Sequence, residues 1–247
     1  MTNSIEVENV SKTFRVMHRE ASVKAAAFKW LRFQFARAEE FVALHDISFT
    51  VPRGQTVGVI GSNGSGKSTL LALLARIYRP TTGHITVRGR VATLLELGAG
   101  FHPEFTGIEN VFLNGVILGL DRAEIERRLP AIIDFAEIGE FMDTKVKHFS
   151  SGMITRLGFS VAVHVEPDVL LVDEVLAVGD VQFQEKCYAK IEEFKQRGVT
   201  IFFVSHDMRA IARVSDRVLW LDNHALRADG PAAKVIEEYD SSHQPDH

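Results

Sequence analysis

The stretch Gly61-Ser62-Asn63-Gly64-Ser65-Gly66-Lys67-Ser68 constrains this chain more than any other. It fits G-x-x-x-x-G-K-[ST], in which glycines let backbone N–H groups close on phosphate oxygens, the lysine reaches the outer phosphates and the serine can ligate Mg2+. A β-rich run at residues 56–60 precedes it. Behind it, residues 67–77 read as a helix, with Leu70, Leu71, Leu74 and Ile77 spaced along one face. A glycine-rich turn with a solvated lysine is the bland alternative, and the flanking strand and helix argue against it.

Other segments read as an α/β chain. Residues 5–10 and 47–51 are β-rich, the second run ended by Pro52-Arg53-Gly54. Residues 169–172 and 200–204 are continuous apolar runs, the mark of strands buried on both faces of a largely parallel sheet. Between these two groups, charged and apolar residues mix at helical spacing, as at 122–133, which predicts a mostly helical subdomain over about residues 106–163. One domain over residues 1–240 is the simplest account, with a polar tail at 241–247 expected to fray.

Charge and cysteine usage remove several function classes. Lys and Arg number 28 against 32 Asp and Glu, a net charge of −4, so no bulk basic field invites duplex nucleic acid. The single cysteine, Cys187, allows no internal disulfide and no cysteine cluster for zinc, which fits a reducing compartment. The N-terminal residues lack the positive start and apolar core of a secretory signal. Apolar runs fall well short of the roughly 18 residues that a spanning helix needs, so any membrane role is expected to be peripheral.

Two further motifs carry chemistry. Val169-Leu170-Leu171-Val172-Asp173-Glu174 is a buried-strand pattern ending in adjacent carboxylates. In P-loop enzymes an acid at such a strand end holds Mg2+, and a second one can polarise the attacking water. Alone the pair would read as a solvated turn; together with the P-loop it reads as catalytic. Phe149-Ser150-Ser151-Gly152-Met153 precedes an apolar-periodic helix, whose start both needs a serine cap and attracts anions.

Together these residues resemble the nucleotide-binding subunit of an ABC transporter, over about residues 5–230 and in the expected order. The resemblance implies an α/β P-loop NTPase cassette with a mixed sheet core, an antiparallel β-subdomain and a helical subdomain. Residues 149–153 correspond to the LSGGQ signature, with Ser151 replacing its first glycine and Met153 its glutamine. Asp180 stands where the D-loop aspartate is expected, and Ser205-His206-Asp207 looks like the switch-histidine segment. The resemblance then implies ATP held by Gly61, Ser62, Asn63, Gly64, Ser65, Gly66, Lys67, Ser68 and Thr69. Mg2+ would be set by Ser68 and Asp173, with Glu174 orienting or deprotonating water and His206 contacting the γ-phosphate. Ser150, Ser151, Gly152 and Asp180 would complete each site across a head-to-tail homodimer. Two further positions depart from the pattern. Glu96 stands in place of the metal-sensing Q-loop glutamine, and Phe14 sits where a tyrosine often stacks on adenine, a core role being the alternative for Phe14.

Residues 95–110, reading Leu-Glu-Leu-Gly-Ala-Gly-Phe-His-Pro-Glu-Phe-Thr-Gly-Ile-Glu-Asn, narrow the resemblance to the ATPases that export O-antigen, capsule and teichoic acid in bacteria. So do Phe-Ser-Ser-Gly-Met at 149–153 and Asp-Glu-Val-Leu-Ala-Val-Gly-Asp at 173–180. This branch implies a lipid-linked polysaccharide substrate, moved through two copies of a polytopic membrane permease, with the ATPase peripheral on the cytoplasmic face of the inner membrane and no nucleic-acid partner. With the last residue at His247, no C-terminal glycan-binding domain is expected. A basic insertion at about residues 15–40 carries Arg15, Arg19, Lys24, Lys29, Arg32 and Arg37 with interleaved aromatics. It is expected either to meet the membrane subunit or lipid headgroups, or to fold onto its own cassette. The competing reading, a non-transport ABC ATPase acting on nucleic acid or ribosomes, usually brings a long coiled-coil insertion or a second cassette, and the sequence shows neither. A non-catalytic nucleotide sensor is disfavoured by the intact set of Lys67, Asp173, Glu174 and His206.

Overall fold

The computed structural model describes residues 2–16, 39–95, 97–173 and 179–243. Glu96, Glu174, the basic insertion apart from its ends and the tail beyond residue 243 lie outside them. In chain order the elements are β1 (Asn3–Val16), β2 (Glu39–Pro52), β3 (Thr56–Ile60), α1 (Lys67–Leu74), β4 (Thr82–Val87), β5 (Val91–Leu94), α2 (Gly107–Ile117) and α3 (Arg122–Ala136). Short 3-10 turns at Gly139–Phe141 and Val146–His148 lead to α4 (Ser151–Val163). Then come β6 (Val169–Asp173), α5 (Val181–Gln196), β7 (Thr200–Val204), α6 (Met208–Val214), β8 (Arg217–Asp222), β9 (Ala225–Pro231) and α7 (Ala232–His243).

The strands form two sheets: an antiparallel one in the order β2-β1-β4, and a six-stranded one in the order β5-β6-β7-β3-β8-β9. In the second sheet every pairing is parallel except β8 with β9, so the expected mixed sheet and antiparallel subdomain are both present. The continuous apolar runs arise because this sheet is covered on both faces. Leu170, Val172, Ile201, Phe203 and Trp220 pack on one side with Phe159, Phe183 and Phe194 of the helices. Val169, Leu171, Phe202, Val204 and Leu219 pack on the other against α1 and the antiparallel sheet. Successive strand residues point to opposite faces, so a strand with two buried faces must be apolar throughout. Each fully buried aliphatic side chain there contributes about 1.5–3 kcal/mol relative to exposure.

The helical subdomain has a core of its own, built from Val111, Ile125, Ile132, Leu157 and Val161 among others. Capping boxes start two of its helices: Thr106 with Glu109 for α2, and Asp121 with Glu124 for α3. Each cap contributes about 1 kcal/mol by satisfying amides that lack an intrahelical partner. One expectation needed correction. Helix α1 ends at Leu74 rather than Ile77, because Arg76 turns left-handed at φ 61°, and Ile77 is left 61% exposed. Of the tail, residues 241–243 continue the last helix, where Ser241 Oγ donates to Glu237 O at 2.8 Å and Ser242 Oγ to Tyr239 O at 2.7 Å, and the rest lies outside the described residues. Among the described residues no helix is long and apolar enough to cross a membrane.

Candidate functional site

Strand order places the chemistry. Strands β6, β7 and β3 are neighbours and run parallel, so their C-terminal ends open on one edge of the sheet. Open α/β sheets bind ligands there. Asp173 pairs across from Val204, and Val204 from Val59, so the Asp173 end, the Ser205-His206 end and the root of the P-loop stand in one row. With strands about 4.8 Å apart, the row spans about 10 Å.

The loop from β3 to α1 folds back over the helix start. Gly66 caps α1 at φ 105°, and a Cβ there would sit 2.5 Å from the Ala43 carbonyl oxygen, so only glycine passes β2 this closely. Lys67 is 7% exposed and its Nζ donates to the carbonyls of Gly61 at 2.8 Å and Ser62 at 3.0 Å, which binds the loop into a ring. The Ser65 hydroxyl is buried within that ring without a hydrogen-bond partner, and around Gly64 nothing lies within 4 Å of where a side chain would begin. A cavity of about 450 Å3 opens over this ring, lined by Phe41, Ala43, Asn63, Gly64, Gly66, Lys67, Ser68, Thr69 and Asp173. Its donor set is backbone amides at a helix start, an ammonium, a hydroxyl and a carboxylate. These fit a polyphosphate with Mg2+, which takes few protein oxygens and completes its shell from phosphate and water.

A second cavity, about 580 Å3, shares Ser68, Thr69 and Asp173 and runs between α1 and the helical subdomain past Phe14, Ile77, Tyr78, Leu97, Ala99 and Ile117. Phe14 is therefore not a core residue. It is partly exposed, edge-on to Tyr78 with ring centroids 5.2 Å apart, and Lys12 Nζ lies 4.9 Å from its ring centre. Phe41, which carries no motif, pairs directly with Phe14 across β1 and β2, so the two rings leave the same face of the antiparallel sheet. The pairing joins the two sides of the basic insertion, and only the folded chain reveals it.

His206 is exposed at the end of β7, and the adjacent Ser205 hydroxyl accepts the Asp207 amide at 3.0 Å. Asp207 in turn caps α6. Ser150 caps α4, its hydroxyl accepting the Met153 amide at 3.2 Å, and Ser150 and Ser151 are exposed. Neither these serines, nor Gly152, nor Asp180 lines the two cavities. The signature end of the chain thus contributes nothing to either cavity beside its own P-loop. Asp180 caps α5 through the Phe183 amide at 2.9 Å, and its other carboxylate oxygen accepts Arg156 Nη2 at 2.7 Å. Cys187 is buried, and burial pushes its thiol up to about 12, which leaves it inert.

A strand, a P-loop, an acid-tipped strand two places along the same sheet and a capped helix on a separate subdomain define a nucleotide-binding cassette. Residues 44–177 match the ABC transporter family, and the chain belongs to that family as an ATP-binding cassette. More narrowly, it is similar to the ATP-binding proteins of polysaccharide export systems. It is 51% identical over 237 residues to the O-antigen export system ATP-binding protein RfbB of Klebsiella pneumoniae, covering 95% of this chain and 96% of that protein. The teichoic acids export ATP-binding protein TagH of Bacillus anthracis is 40% identical over 97% of this chain, which spans 43% of that protein. In fold it matches the solved ATP-binding subunit of an ABC transporter at a TM-score of 0.76, with 24% identity over 98% of this chain and 95% of the other. A dimeric ATP-binding cassette in a post-hydrolysis state with ADP and Pi matches at 0.73, with 21% identity over 92% and 98%.

Proposed function

We propose that this chain is the ATP-hydrolysing subunit that powers export of a lipid-linked polysaccharide of the O-antigen, capsule or teichoic-acid type. Identity of 51% to an O-antigen export subunit along nearly the full length of both chains carries the assignment. Lys67 and the loop amides hold the β- and γ-phosphates, and Ser68 with Asp173 sets Mg2+. Held there, Mg2+ would supply charge neutralisation for phosphoryl transfer. Phe14 and Phe41 offer the base a wall of two rings. Glu174 follows Asp173 in sequence and takes the role of orienting the attacking water, and His206 that of contacting the γ-phosphate.

Because Ser150, Ser151 and Gly152 contribute nothing to either cavity beside their own P-loop, a second copy of the chain supplies the signature end, head to tail. Closure on ATP then does work through unequal affinity for the open and closed states. The larger cavity presents Ile77, Tyr78 and Ile117, all exposed and apolar, beside Ser68 and Asp173. A helix of a membrane permease seated there would sense the nucleotide, which supports a peripheral place on the cytoplasmic face of the inner membrane. The decisive experiment is Glu174→Gln. We expect ATP binding to persist, hydrolysis to fall about 100-fold or more, and a closed dimer to accumulate in size-exclusion chromatography with ATP. Turnover near the unsubstituted level would remove Glu174 from the mechanism.

A further inference from the structure

One side chain ties three separate elements together at the signature end. The Arg156 guanidinium, on α4 and 18% exposed, donates through Nη1 to Glu137 Oε2 at 3.1 Å and through Nη2 to Asp180 Oδ2 at 2.7 Å. It also lies 4.7 Å from the centre of the Phe183 ring on α5. Glu137 ends α3 in a left-handed conformation at φ 56°, which a non-glycine residue adopts only when its surroundings hold it. Its other oxygen accepts Lys186 Nζ of α5 at 2.8 Å, and Lys186 also donates to the Phe135 carbonyl at 3.0 Å. The Lys186 bond, before all else, holds the Glu137 carboxyl below the usual carboxylate range.

Exposed ion pairs usually contribute little. Here the cation is mostly covered, stacked on a ring and shared between carboxylates from two elements, so its planar fork fixes direction as well as charge. We infer that Arg156 is a positioning residue: it fastens the Ser150–Gly152 end of α4 to the Asp180 corner of α5 and the end of α3, so that these parts move as one body when nucleotide is gripped. Asp180 is thereby committed within its own chain, one oxygen to the α5 cap and the other to Arg156. The two faces that a second copy must meet, the signature serines and the 179–180 corner, keep a fixed spacing.

The kinetic part of the test rests on the ATPase reading; the exchange part does not. In Arg156→Gln, hydrogen–deuterium exchange of peptides covering residues 150–156 and 179–185 should rise together by at least about threefold, with the P-loop peptide 61–68 unchanged. The turnover number should fall about tenfold with KM for ATP within about twofold, and Arg156→Lys should lie between. Asp180→Asn retains a cap and should lose a similar factor, and the double variant should lose no more than the worse single. Faster exchange in only one of the two peptides, or in neither, overturns the inference, as do kinetic losses that multiply. Should Arg156→Gln fail to fold, Arg156→Lys and Asp180→Asn carry the same readouts. Absence of hydrolysis in the unsubstituted chain would sink the proposed function instead, and the exchange result would still decide the bridge.

Discussion

The strand-end site and the signature end are held in different ways. The root of the P-loop, Asp173 and the turn leading to His206 stand at the ends of β3, β6 and β7, whose residues up to those ends are buried on both faces, and Lys67 opens α1 just beyond. The signature serines are exposed at the tip of α4, which is fastened by an arginine bridge and by a close glycine contact with the loop at 97–98. On the function proposed above, the difference follows from what each end would do. Phosphoryl transfer would depend on fixed positions, held by a close-packed core. A surface that met and released a second chain would stay open, oriented by a few directional contacts.

The largest expected effect would come from the rigid end. Lys67→Ala removes the proposed phosphate contact and the bonds to the Gly61 and Ser62 carbonyls, and should cut kcat/KM for ATP by about 100-fold or more while the melting temperature changes little. A comparable loss of signature-end exchange protection in that variant would break the separation between the two ends. Next, Gly158→Ala probes the glycine contact. Alanine favours a helix by about 1 kcal/mol over glycine, yet its Cβ would lie 2.6 Å from the Gly98 backbone nitrogen. The clash should win, with a net cost of about 1–3 kcal/mol and a melting temperature lower by several degrees in calorimetry. A stabilised variant would mean that the 97–98 loop yields freely.

Smaller effects separate the two aromatic rings. Phe14→Ala and Phe41→Ala should each weaken binding of a fluorescent ATP analogue by about two- to tenfold, since an aromatic contact contributes about 0.5–1.5 kcal/mol beyond burial. If only one variant loses affinity, the base rests on that ring alone. The smallest effect is a pH slope. Burial, opposed by the bond to the Ser160 carbonyl, pushes His164 at the end of α4 below its ordinary value of 6.5. The unfolded chain therefore takes up a proton more readily than the folded one, and stability falls as pH drops from about 6.5 toward the depressed value. Melting temperatures between pH 7.5 and 5.5 should show a shallower decline in His164→Gln than in the unsubstituted protein, and equal slopes would exclude His164 as the source.

Much of the site was legible because its signals are local. The P-loop needs glycines, a lysine and a serine at fixed spacing, β6 announces itself as an apolar run ending in Asp173, and Ser150 is a recognisable helix cap. The ends of elements were less legible: the left-handed Arg76 that stops α1 and the helical course of Ser241 and Ser242 carry no distinctive pattern. Phe41 could not have been singled out, since its meaning comes from Phe14 on the far side of an insertion.

By itself the sequence determined the strand–loop–helix that can hold phosphate, the order of the motifs and the family to which they belong. Those features are written in neighbouring residues, where backbone sterics and periodic burial act over a few positions. Only the tertiary structure decided that Phe14 and Phe41 face the same way and that Arg156 joins Glu137 to Asp180. Each of these depends on which distant segments a two-faced sheet brings side by side, and hydrogen bonds and packing act only across the distances that result.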